Sequence, residues 1–176
     1  SHFLGSAALG LYEAAIKLPF GVKSIMSQLN VVLMPASSHR SAKGEKTGLG
    51  NLFSRGLSFQ ILFTAPIIAA LSFFSAPLIK LWLGEEALPS AEIMRWALVI
   101  PFLSPLLSVG SAILLGANKE MRRITSVTFA SALLNLALDW LWVPIFGLKG
   151  VIWATCAGLA ASLPAHWLIF QHELKF

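Results

Sequence analysis

The sequence predicts an all-α fold: a polytopic transmembrane helical bundle with no water-soluble domain attached. Three observations predict it. Apolar types make up 56% of the 176 residues, Asp, Glu, Lys and Arg together only 12%, and mean hydropathy is +0.75; soluble domains average about 25% charged residues. Uncharged runs, with histidine counted as neutral, cover residues 24–39, 56–79, 96–118, 124–138 and 150–171, and a helix needs about 20 mainly apolar residues to cross the hydrocarbon. Basic residues, finally, alternate between connections.

Five spans are predicted. The first, residues 11–36, extends its uncharged run back through Lys17 and Lys23, with Pro19 near its start and Pro35 near its end. Residues 37–50, rich in Ser, Lys and Gly, form the longest loop. The second span, 56–79, reaches bilayer length alone; Pro66 removes one intrahelical donor and bends it, and Pro77 stands close to a turn at Gly84. Ser90 reads as a cap leading through Glu92 into the third span, 96–118, where Pro101 and Pro105 interrupt the backbone. Gly116 precedes a short turn. The fourth span, 122–143, carries Asp139 toward a compact turn at Pro144 and Gly147, and the fifth, 150–171, includes His166. Its Gly150, Ala154, Ala157, Gly158 and Ala161 read as a surface for a close neighbouring helix rather than for substrate.

Charge sets the orientation. Arg40, Lys43, Lys46 and Arg55 occupy the first connection and Lys119, Arg122 and Arg123 the third, whereas the second sets Lys80 and Arg95 against Glu85, Glu86 and Glu92, and the fourth has Lys149. Short loops rich in Lys and Arg stay in the cytoplasm, so both basic connections, Lys175 and the carboxyl terminus are expected inside. Trp82, Trp96, Trp140, Trp142 and Trp153 then gather at the outer interface and Trp167 near the inner one, as amphipathic rings prefer. The expected location is the inner (plasma) membrane.

A formal charge of +5 could attract nucleic acid, but its distribution over membrane-flanking loops argues against that partner. The sequence has no HExxH, P-loop, dinucleotide fingerprint, EF-hand or paired CxxC motif. Cys156 stands alone, and His166 supplies no coordination set. No enzymatic chemistry, cofactor or metal is expected.

The order of motifs carries a resemblance. Gly10-Leu11-Tyr12-Glu13-Ala14-Ala15-Ile16-Lys17-Leu18 is followed after a helix by Val31-Val32-Leu33-Met34-Pro35. Leu114-Leu115-Gly116-Ala117-Asn118-Lys119 precedes Asn135-Leu136-Ala137-Leu138-Asp139, then residues 143–151 from Val143-Pro144 to Gly150-Val151, and Ala154-Thr155. As a set these resemble the later half of polysaccharide or lipid-linked oligosaccharide flippases, within the multidrug/oligosaccharidyl-lipid/polysaccharide exporter superfamily. The resemblance implies two lobes with alternating exposure of a central path, residues 1–176 being a partial carboxyl-terminal lobe whose amino-terminal partner lobe lies elsewhere in a full-length protein. It also implies a saccharide cargo linked through phosphate to a lipid, and membrane lipids as surroundings.

For that cargo Lys17 and Lys23 are headgroup candidates, and Arg55, Arg122 and Arg123 inner-mouth candidates. Each has a plainer role: Lys17 can pair with Glu13 four residues before it, Lys23 can snorkel, and the arginines can anchor the boundary. Asp139 is an ion-linked carboxylate or a structural hydrogen-bonding group, Asn118 and Asn135 can satisfy each other or neighbouring backbone, and His166 packs. Two alternatives stay open: a cation-coupled multidrug exporter of the same superfamily, and a noncatalytic membrane assembly component.

Overall fold

A computed structural model describes residues 6–44 and 46–174. Lys175 lies outside them. The chain forms α1 (Ser6–Ala42), α2 (Lys46–Phe73), α3 (Ser75–Leu83), a 3-10 turn (Glu85–Ala87), α4 (Pro89–Ala97), α5 (Val99–Gly116), α6 (Met121–Phe146) and α7 (Leu148–Leu174), with no strand among the described residues. The all-α bundle is thus observed.

Prolines place two breaks between elements. A proline ring collides with the carbonyl four residues before it, which for Pro77 is Phe73 and for Pro101 is Ala97; α2 ends at Phe73 and α4 at Ala97. Hydrogen bonds continue through the single-residue turns, from Phe74 N to the Ala70 carbonyl at 2.9 Å and from Leu98 N to the Met94 carbonyl at 3.0 Å. Pro66 and Pro105, by contrast, lie within continuous α2 and α5.

Several boundaries differ from expectation. The 37–50 loop shrinks, because α1 continues to Ala42 and α2 starts at Lys46. Ser37 is buried and donates to the Met34 carbonyl at 2.8 Å, and Arg40 Nη1 donates to the Gly48 carbonyl at 2.8 Å, tying the ends together. Ser90 does not cap: Leu88 is the N-cap residue, Pro89 takes the first helical position, where its missing N–H is harmless, and Ser90 is buried inside α4.

The span count is corrected to four. Gly48–Phe73, Pro89–Gly116, Met121–Phe146 and Leu148–Leu174 are long and apolar enough to cross a membrane. At 37 residues α1 measures about 55 Å, ample in length, but Lys17, Lys23, Gln28 and Asn30 interrupt its apolar stretch.

Helix α5 is the hub, packed on α1, α2 and α7. Glycine lets neighbours approach it. A Cβ on Gly110 would sit 2.5 Å from the Phe170 ring of α7, and one on Gly116 would overlap Met34 and Ser37 of α1. Apolar clusters close both ends of the bundle, one around Ile79, Met94, Ala97 and Ile152, the other around Phe53, Ile113, Phe170 and Leu174. Within lipid such packing, rather than escape from water, holds helices together.

Helix α6 leans on α7. The small-residue reading holds at Gly150 and Gly158: added Cβ atoms would lie 2.6 Å from the Trp142 carbonyl and 3.2 Å from Asn135 Cβ. Ala154 is buried and Ala161 exposed. Asn135 donates to Thr155 Oγ1 at 3.3 Å, while Asn118 sits exposed in a turn at φ +54°, so the expected Asn118–Asn135 pair does not form.

Candidate functional site

A hydroxyl in hydrocarbon is costly unless it bonds, so serines in apolar helices either bond the preceding turn or face a polar neighbour. In this bundle they do both. Ser104, Ser108 and Ser111 recur on one face of α5, Thr128 and Ser131 on one face of α6, and Ser162 with His166 on α7; Lys23 of α1 completes a cleft of about 210 Å³. Around it α1 packs on α5, α5 on α7, and α7 on α6.

Packing fixes these groups. Ser104 donates to the Ile100 carbonyl at 2.8 Å and Ser111 to the Leu107 carbonyl at 2.7 Å. Ser131 donates across to the Gly158 carbonyl at 2.7 Å, an approach the missing Cβ of Gly158 permits. Ser162 donates to the Leu159 carbonyl at 2.8 Å. His166 is 3% exposed, with Nδ1 3.0 Å from the Ser162 carbonyl and its ring 5.8 Å from that of Phe170; it packs, as its isolation indicated, yet also lines the cleft. Lys23 Nζ lies 5.5 Å from the Phe20 ring centre.

The polar face continues along α6. Thr128, Ser131, Asn135 and Asp139 are spaced by three, four and four residues, a single helical stripe. Asp139 Oδ1 is buried with no hydrogen-bond partner among the described residues, and Tyr12 of α1 lies within electrostatic range of it. Tyr12 and Lys23 are eleven residues apart on α1, as are Thr128 and Asp139 on α6, so in antiparallel register each pair spans about 16 Å. One polar track thus runs from the Lys23 cleft toward Tyr12 and Asp139.

The sequence candidates separate. Only Lys23 among them lines the cleft. Lys17 is exposed and lies 6.0 Å from the Trp82 ring centre. Arg55 borders a different, mostly apolar groove of about 350 Å³ between α1 and α2. Arg122 is exposed at the start of α6, and Arg123 Nε meets Glu120 Oε2 at 3.2 Å. The cleft hydroxyls were missed by sequence reasoning focused on charge; their signal was recurrence every three or four residues inside apolar helices.

Residues 1–92 match the family described as polysaccharide biosynthesis protein. Over 174 residues the chain is 24% identical to the lipid II flippase MurJ of Bacillus subtilis (strain 168), an alignment covering 97% of this chain and 31% of that relative. No solved structure matches the chain. The family match covers more than half of the chain, and the MurJ alignment runs on through the helices that build the cleft; the chain belongs to the polysaccharide biosynthesis protein family, and its motifs resemble those of lipid-linked saccharide flippases.

Proposed function

We propose that the chain is part of a flippase in which the Lys23 cleft receives the polar headgroup of a lipid-linked saccharide while its hydrocarbon tail stays in the bilayer. One observation carries this reading: four helices of an apolar bundle turn a lysine, a histidine and six hydroxyls onto one cleft. A lysine at mid-helix costs about 2.5–3.5 kcal/mol on insertion scales, a cost that a polar cleft and a phosphate partner offset. No covalent bond changes in such a transfer. With a second lobe from a full-length protein, alternating access would open the cleft to each membrane face in turn, the basic connections and carboxyl terminus lying inside. The multidrug alternative fits less well, since the described residues that line the cleft include a cation and no carboxylate. An assembly component has no need of such a cleft.

The test compares two lysines of one helix. In the reconstituted full-length protein, Lys23→Gln lowers transfer of a diphosphate-linked saccharide about tenfold or more, the worth of a hydrogen bond to a charged group, and spares a neutral lipid-linked analogue. Lys17→Gln leaves both near the parental rate. Equal loss of both cargoes in Lys23→Gln would assign that lysine to packing and withdraw the reading.

We further propose that Asp139 is ion-linked. Its Oδ1 has no partner among the described residues, and it stands one helical turn after Asn135, which donates to Thr155; a proton or monovalent cation would satisfy it. Asp139→Asn keeps the shape but removes the charge; transfer by this variant should lose its dependence on the ion or proton gradient. Unchanged dependence would return Asp139 to a structural role.

A further inference from the structure

We infer that the hydroxyl wall of the cleft selects its ligand by accepting hydrogen bonds, so that it holds the hydroxyl and amide donors of the saccharide and leaves the phosphate to Lys23. This rests on the cleft being the headgroup site. A serine hydroxyl has one proton and two lone pairs. Four of the cleft's protons are already committed to carbonyls: those of Ser104, Ser111, Ser131 and Ser162, at 2.7–2.8 Å. His166 follows the same rule, because Nδ1 faces the Ser162 carbonyl at 3.0 Å. A carbonyl only accepts, so Nδ1 carries a proton, and in that tautomer Nε2 is a lone pair.

Donation to a carbonyl also polarises a hydroxyl, making its oxygen a better acceptor. What remains facing the cleft from α5, α6 and α7 is therefore mostly lone pairs. An anion against that wall is repelled, whereas a sugar ring meets it with one donor per hydroxyl. Turning the protons toward a phosphate would break the bonds that tie them to backbone. Ser108 and Thr128 carry the cleft's two hydroxyls outside this arrangement. The cleft thus divides into a cation on α1 and an acceptor surface opposite, and the two halves recognise different parts of one headgroup.

The probes are a polyprenyl diphosphate hexose and its counterpart with the sugar hydroxyls replaced by fluorine, which removes donors with little change in size. In proteoliposomes of the full-length protein, the hydroxylated probe is transferred about tenfold faster than the fluorinated one. The Ser104→Ala/Ser111→Ala double variant brings that ratio toward one, and Ser104→Cys/Ser111→Cys, which preserves bulk with a weaker acceptor, does the same. Both carbonyls they free keep their helical N–H donors, so folding is preserved. Equal transfer of the two probes by the parental protein, or a ratio that survives both double variants while Lys23→Gln still impairs transfer, overturns the acceptor wall and leaves the cleft reading standing. Full transfer by Lys23→Gln together with both double variants overturns both.

Discussion

Helices α5 and α6 are both apolar enough to cross a membrane, yet the bundle uses them in opposite ways. In the span formed by α4 and α5, 56% of the most apolar stretch is buried; in α6 the share is 0%. Helix α5 presents glycines to α1 and α7 and is enclosed on three sides. Helix α6 leans mainly on α7 by a polar stripe and small-residue contacts, and turns Phe129, Leu133, Leu136 and Trp140 outward. Apolarity therefore tells that a helix belongs in lipid but not whether lipid or protein surrounds it. Position in the packing is set by small residues, and function by the polar residues each helix keeps.

The sharpest way to break this contrast is to add the same kind of bulk to both helices. Gly110→Ala drives a methyl group into the Phe170 ring, which is fully buried and has nowhere to move, and should destabilise the protein by about 1–3 kcal/mol. Ala137→Leu on the exposed side of α6 should be nearly neutral. Thermal unfolding of the full-length protein in lipid nanodiscs compares them; similar losses would mean that α6 is enclosed as tightly as α5. A gentler probe is Arg123→Gln. Its ion pair with Glu120 is 66% exposed on the arginine side, and exposed pairs contribute about 0.2–1 kcal/mol. The same unfolding measurement should show a change within that range, and transfer should be unaffected; a loss of transfer would bring Arg123 back as an inner-mouth group.

Much of the fold was legible because membrane helices advertise themselves. Charge-free runs located the four spans, and Gly116 and Gly147 marked turns. Helix α1 was the exception: its lysines and amides lower its apolarity, and one of them, Lys23, lines the cleft. The residue composition of 37–50 looked like loop, but Ser37 packs close against Gly116 and Ser41 donates to the Ala117 carbonyl, tertiary contacts that hold the extended helix and that local propensity does not contain. Within the site, Lys23 and Asp139 stood out as charges in apolar surroundings. Lys17, only six residues from Lys23, looked equivalent in sequence; six residues leave the two side chains about 120° apart around the helix, and Lys17 lies near Trp82 instead. The serines were silent individually, since a serine bonded to its own helix is ordinary. Only the meeting of α5, α6 and α7 makes them a wall.

A cleft that serves as a path for the headgroup must admit water, and Ser108 is placed to report it. Ser108 lines the cleft. In an otherwise cysteine-free full-length protein, Ser108→Cys should react with a membrane-impermeant thiol reagent, and a diphosphate-linked saccharide should slow that reaction while a neutral lipid of equal chain length does not. A cysteine at position 108 that stays unreactive from both membrane faces, or reacts equally fast with and without the saccharide, would contradict the account.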